Sequence, residues 1–362
     1  MRGQVAHASD LNLPRIPVVR EVHAKLAPIM KTTKIAKIVI PDDYHGLVSR
    51  LDCYRKLAGH DAHDVTVLRD VAPSFETLVE KLRDAEIIVA VRERTEFTRA
   101  LIEQLPKLKL IAQTGRSAHA IDLTACTDHG IAVCAGSHAS PYTVAEHTWA
   151  LIFASVRRVA EDAALMKQGK WRDWFSTSLR GKTLGVYGLG KIGEPVAATG
   201  ASFGMRVLCY AREATAARAQ ALGYEAASSR QAFFEQADVL SINLRMSEAT
   251  RGIITAADLA HMKPTALIVN TARAELFAPG VLVEALKKGR PGFAATDVYE
   301  NEPVQNGDHP LLHMSNAICT PHSAWLEPGT YEAYFGEAFE QAAAFAAGKP
   351  VKLLNPEVVP RT

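Results

Sequence analysis

A chain of 362 residues, 48% hydrophobic and 22% charged, has room for two cores and the composition of a globular protein, not of a fibre or a disordered tail. A formal net charge of +2 gives no reason to expect nucleic acid or an anionic membrane as a partner, and no apolar run approaches the length of a membrane span. The five cysteines are odd in number, widely spaced and without a C-x-x-C pair, which reads as buried thiols in a reducing compartment. A cytoplasmic location is therefore expected, and no metal site.

Residues 1–33 have no apolar signal-peptide core and read as an N-terminal extension, expected to be disordered, or as an over-called start. From Ala36 apolar runs alternate with helix-like stretches: Ala36 to Pro41, Val65 to Leu68, Glu86 to Val91, Leu108 to Gln113 and Ile131 to Cys134. That alternation predicts parallel βαβ units and a first α/β domain. It contains no glycine-rich phosphate loop. A helix is predicted from about Val144 to Lys167, with Gly169 just past its end, joining this domain to the next.

The second domain opens with the stretch LGVYGLGKIG, Leu184 to Gly193. A short apolar strand breaks into Gly188, Gly190, Lys191, Ile192 and Gly193 and then into a helix-compatible run. In a dinucleotide-binding unit the first glycine makes the tight turn, the second admits a pyrophosphate and the third packs helix on strand. The helix N-terminus offers its free N–H groups to the phosphates. Further strands are predicted at Met205 to Tyr210, Val239 to Asn243, Ala266 to Asn270, Phe293 to Val298 and Ala317 to Thr320. Six parallel strands make a doubly wound sheet, whose ligands bind beyond the carboxyl ends of the strands.

That rule selects residues. Past the fourth strand of this domain come Thr271 and Arg273, past the fifth Asp297 and Glu302, and past the sixth His322 and Trp325. Hydride transfer between a nicotinamide and a carbon bearing oxygen needs a group that exchanges a proton with that oxygen, and histidine does so in both directions near neutral pH. A neighbouring carboxylate fixes its tautomer. An arginine holds a substrate carboxylate bidentately and polarises the adjacent carbonyl. Each residue also has an ordinary structural reading: a solvated cap, a turn residue before Pro303, a satisfied strand-end side chain.

From Ala36 onward the chain resembles the D-isomer-specific 2-hydroxyacid dehydrogenases. The resemblance is carried by LRGKTLGVYGLGKIG (Leu179 to Gly193), MKPTALIVNTARAEL (Met262 to Leu276), ATDVYENEP (Ala295 to Pro303), HPLL (His309 to Leu312) and CTPHSAW (Cys319 to Trp325). It implies an α/β fold of two doubly wound parallel-sheet domains, flavodoxin-like and Rossmann, with the active site in the cleft between them. Residues 34–142 and 326–362 would form the substrate domain, closed as a lid by a helix around Tyr331 to Ala347. Residues 143–325 would form the NAD(P)-binding domain with the linking helix, which would also build a homodimer. Arg273 would bind the carboxylate of a small 2-keto or 2-hydroxy acid, His322 would be the general acid and base with Glu302 as its partner, and Asp297 would contact the nicotinamide carboxamide. The remaining candidates are Arg94, Gly115, Arg116, Ser117 and Trp325 for substrate, and Arg212, Leu244, Arg245 and Thr271 for cofactor.

Three departures from the family pattern bear on chemistry. Where members specific for NAD carry a ribose-binding acid, this chain reads Tyr210-Ala211-Arg212, which points to NADP, with NAD as the alternative. Arg116 enters a substrate loop that usually carries small residues, where it would meet a second anionic group or, on the favoured reading, point outward or pair with an acid such as Asp122. Arg245 follows Leu244 where proline is common. Formate dehydrogenases resemble the chain less, because they place glutamine where Glu302 stands. A regulatory, co-repressor-like dimer that senses dinucleotide is the alternative of a different class; the modest charge and absence of low-complexity segments argue against it.

Overall fold

The computed structural model describes residues 36–58, 63–137, 140–210 and 213–358. The expected N-terminal extension and Arg212 lie outside these residues.

Five short parallel strands form the first sheet: β1 (Ala36–Ile40), β2 (His63–Val67), β3 (Ile87–Ala90), β4 (Leu110–Gln113) and β5 (Ala132–Ala135), in the order β2-β1-β3-β4-β5. Strands β3 and β4 are buried throughout, as expected of strands covered on both faces, whereas the edge strand β2 alternates between half-buried and exposed. All five match the runs read from the sequence. The helix Pro328–Ala346 returns the chain to this sheet. Its Tyr331, Phe335, Ala338, Phe339 and Ala342 lock into the same core as Ile38, Ile40, Val89 and Leu110.

The second sheet has seven parallel strands: β6 (Thr183–Tyr187), β7 (Arg206–Tyr210), β8 (Glu225–Ala226), β9 (Val239–Ile242), β10 (Leu267–Asn270), β11 (Phe293–Thr296) and β12 (Ala317–Cys319), ordered β12-β11-β10-β9-β6-β7-β8. Six were expected. The seventh, β8, is a two-residue edge strand on β7, too short to show a period of two. The order reverses between β6 and β9, which opens the crevice for a ligand beyond the end of β6.

The expected single helix from Val144 to Lys167 is two helices, Pro141–Arg157 and Val159–Lys167, broken at Arg158 with φ 53°. The first is held by burial: Trp149 and Ile152 pack with Leu184 and Val196, and the Trp149 Nε1 donates to the Val196 carbonyl at 3.2 Å. The second buries no residue at all. Continued packing thus does not hold the register past Arg157. The Arg158 guanidinium instead stacks over Trp174 at 4.1 Å and pairs with Glu161.

Candidate active site

The turn after β6 has the shape a dinucleotide requires. Gly188 sits at φ 98°, and a Cβ there would stand 2.9 Å from the Asn243 carbonyl oxygen; one on Gly193 would stand 2.0 Å from the Gly188 carbonyl oxygen. Both close approaches admit only glycine. A Cβ on Gly190 would meet nothing within 4 Å, so this face of the loop is open to a ligand. Behind it starts the helix Gly193–Ser202, whose N-cap Ile192 offers its N–H groups no side-chain acceptor. Lys191 is exposed and Leu244 half-buried against the turn, while the Asn243 Oδ1 is buried without a hydrogen-bond partner. These residues fit a dinucleotide pyrophosphate through a positive helix end and open space, although the Glu194 N–H is taken by the Gly190 carbonyl at 3.0 Å and Pro195 has none. Arg245 is exposed at the same edge.

The expected trio follows three neighbouring strands: Arg273 after β10, Glu302 after β11 and His322 after β12, the last two paired with each other. His322 Nδ1 lies 2.5 Å from the Glu302 Oε2, and the other oxygen of Glu302 accepts from the Tyr299 N–H at 2.9 Å. That pairing leaves Nε2 of the imidazole as the nitrogen free to face a substrate. Both side chains are about a quarter exposed, so the pair borders the cleft without being lost to water. Past β10, Asn270 closes the turn by donating to the Arg273 carbonyl at 2.8 Å and accepting from the Ala272 N–H at 3.0 Å. The Arg273 guanidinium is then held by the Ala272 carbonyl at 2.7 Å and by Glu93 Oε2 at 2.8 Å. Glu93 follows β3, so the carboxyl ends of the two sheets face each other across the cleft.

Asp297 and Thr271 are both engaged with neighbouring groups of the protein. The Asp297 side chain is wholly buried. Its carboxylate accepts from the Thr320 hydroxyl at 2.5 Å, from the Ser323 N–H at 2.9 Å and from the Ala324 N–H at 2.8 Å. Burial raises its pKa, but these bonds and His147 outweigh that and hold the carboxyl below its ordinary value. The two backbone bonds fix the segment just after His322, which adopts a left-handed φ of 49° at a cost of about 1–2 kcal/mol for a non-glycine residue. Thr271 is buried, with its hydroxyl 2.8 Å from that of Thr148. Thr148 and its neighbour His147, which lies 3.0 Å from the Thr320 hydroxyl, tie the linking helix to the ends of β10 and β12.

On the substrate side, Arg94 donates to the Asp42 carbonyl at 2.5 Å and lies over the Tyr44 ring at 4.0 Å. Trp325 is buried, stacked on Tyr331 at 4.4 Å, with Arg92 and Arg94 over its ring at 5.2 and 5.6 Å; it is a platform for cations. Gly115 is buried at φ 80°, packed beside Arg92 and Tyr334. Ser117 bonds His119 at 2.6 Å. Arg116 is exposed, and no ion pair to it is found among the described residues; Asp122, the partner considered from sequence, instead caps the helix Leu123–Asp128. Sequence reasoning missed Glu93, His147, Thr148 and His45. His45 follows β1, and burial, then Arg94 and His322, lower its imidazole to about 4, so it stays neutral beside the cleft. The only sequence signal for Glu93 is an acid between two arginines just past a strand end.

A family model described as D-isomer specific 2-hydroxyacid dehydrogenase, NAD binding domain, matches residues 149–324. A glyoxylate reductase of Aeropyrum pernix is 37% identical over 298 residues, covering 79% of this chain and 88% of that one. The chain belongs to the D-isomer-specific 2-hydroxyacid dehydrogenase family. A D-3-phosphoglycerate dehydrogenase of Methanocaldococcus jannaschii is 39% identical over 249 residues, or 68% of this chain, which spans about half (47%) of that longer protein. A crystal structure from Ralstonia solanacearum is 44% identical with a TM-score of 0.84, covering 90% of this chain and 98% of that one. Membership of this family supports nicotinamide-dependent oxidoreductase activity on 2-hydroxy acids in general.

Proposed function

We propose that this dehydrogenase interconverts a small 2-keto acid and its 2-hydroxy acid, with His322 as general acid and base, Glu302 as its partner and Arg273 as the carboxylate clamp. The observation that carries the reading is the 2.5 Å His322–Glu302 pair, with an arginine fixed after the neighbouring strand β10. A nicotinamide cofactor held by the turn from Gly188 to Gly193 would supply the hydride for the carbonyl carbon. His322 gives a proton to the carbonyl oxygen in reduction and takes it back in oxidation, while Glu302 supports the charged ring. Arg273 orients the substrate through its carboxylate and draws electron density from the adjacent carbonyl. The test is an absorbance assay of small 2-keto acids with NADPH and NADH; no turnover of any of them with either cofactor would defeat the proposal.

NADPH is proposed as the preferred cofactor. The support is Ala211-Arg212 in place of a ribose-binding acid: no carboxylate is there to repel a 2′-phosphate, and a guanidinium is at hand to hold one. kcat/KM is expected to be at least about tenfold higher with NADPH, one charge-assisted contact being worth roughly 1.5–3 kcal/mol. Arg212→Ala should erase most of that difference. Equal values for both cofactors, unmoved by the substitution, would leave Arg212 as a surface residue.

A homodimer built on the linking helix is the proposed assembly. Tyr142, Val159, Met166, Trp171 and Phe175 are large apolar side chains exposed along this one stretch, Trp171 at 86% and Phe175 fully. Such a concentration of exposed apolar surface is what a second copy would cover. Sedimentation equilibrium should give twice the chain mass, falling toward the monomer for Trp171→Glu with Phe175→Glu; a monomeric parent protein would exclude the assembly.

A further inference from the structure

Arg273 reaches the cleft on a long side chain with several rotatable bonds, so its own turn cannot fix where the guanidinium points. The bond to the Ala272 carbonyl fixes one end of the fork. The other end is fixed from the opposite domain, by Glu93. That carboxylate is a junction. Its Oε2 takes Arg273 Nη2 at 2.8 Å and Arg92 Nε at 3.6 Å, and its Oε1 lies 3.9 Å from His119 Nδ1. One acid thus joins the loop after β3, the loop after β4 and the strand end that carries the clamp. Its side chain is only 11% exposed.

We infer that Glu93 is a positioning residue for the carboxylate clamp: the lid domain supplies the anion that aligns Arg273, so the clamp is complete only when the two domains are closed. This rests on the assignment of Arg273 as that clamp. Two guanidinium groups converge on one carboxylate oxygen, and without the negative charge they would repel each other and turn apart. With it, they coexist at the edge of the site, and the remaining donors of Arg273 stay free for a substrate carboxylate. Burial works against ionisation, but Arg92 and then Arg273 outweigh it and bring Glu93 down to about 2. The anion therefore persists at every pH at which the protein would be assayed.

The prediction concerns substrate affinity with cofactor already bound. Oxamate, which carries the carboxylate and carbonyl of a 2-keto acid but is not reduced, serves as the probe. In the full-length protein with reduced cofactor, Glu93→Gln should raise the oxamate Kd and the KM for a 2-keto acid about tenfold or more. kcat should fall by a smaller factor, and cofactor Kd and the shape of the pH–rate profile should stay as they are. Glu93→Asp keeps the charge but is one methylene shorter, so it should restore only part of the loss. In an Arg273→Lys background Glu93→Gln should add little, because both act through the same guanidinium. An unchanged oxamate Kd, a tighter one, or full additivity with Arg273→Lys would overturn the inference. If Arg273→Lys itself leaves oxamate binding unchanged, the clamp assignment falls too, and the two failures are told apart by that single variant.

Discussion

His322→Ala is expected to lose about 10²–10⁴-fold in kcat for the reduction of a 2-keto acid, the range that a positioned proton donor contributes, while cofactor affinity stays the same. The argument starts from geometry. Glu302 occupies Nδ1 at 2.5 Å, the Tyr299 N–H holds the far carboxylate oxygen, and Asp297 secures the backbone just after the imidazole through two N–H bonds. The ring therefore has one orientation and one nitrogen left for chemistry. Glu302→Gln tests the partnership separately. It keeps a hydrogen-bond acceptor near Nδ1 but removes the charge that favours the protonated ring. Reduction needs a proton on that ring, so kcat for reduction should fall and the pH–rate profile should change. A profile indifferent to Glu302→Gln would dissolve the pair, and a His322→Ala enzyme within tenfold of the parent would remove the histidine from the chemistry.

The parts of this molecule that were legible in the sequence are those fixed by local pattern. Strands β3 and β4 appear as uninterrupted apolar runs because both faces are covered, and the turn from Gly188 to Gly193 is visible because two backbone approaches leave no room for a Cβ. Arg273, Glu302 and His322 could be selected because the doubly wound sheet places strand ends on one edge. What stayed hidden depends on partners distant in the chain. The break at Arg158 is hidden because the helix period continues through it, while the burial that would enforce that period stops. The internal engagement of Asp297 and Thr271 is hidden because it depends on where the linking helix lies. His147 and Thr148 on that helix are well over a hundred residues from their partners. Glu93 is the clearest case: as read along the chain it is one acid among arginines, and only the meeting of two sheets makes it a contact of Arg273. Arg116 carries the converse lesson. The favoured reading has it outward or paired, and its side chain is exposed without an ion pair among the described residues, a position in which a single charge is worth little.

Arg273→Lys is expected to cost about 10–10³-fold in kcat/KM for a 2-keto acid. The substitution keeps one positive charge, so any loss measures geometry. An arginine presents a planar fork that grips a carboxylate through two parallel bonds, whereas a lysine ammonium is a point charge on a flexible stem. A charged hydrogen bond is worth roughly 1.5–3 kcal/mol, and a donor aimed at charge that develops in the transition state roughly 2.7–4 kcal/mol. The two figures bracket the expected range. The division between KM and kcat says which function dominates: a rise in KM alone means that the fork serves binding, and a fall in kcat means that it also polarises the carbonyl. Lysine also cannot hold the Ala272 carbonyl and Glu93 in the manner of the present side chain, which spans 2.7 and 2.8 Å contacts from two nitrogens of one rigid group. Part of the loss should therefore appear as weaker domain closure, read as an oxamate Kd that rises while cofactor affinity holds. Turnover equal to the parent would show that the substrate carboxylate is held elsewhere, with Arg92 and Arg94 over Trp325 as the next cations in line.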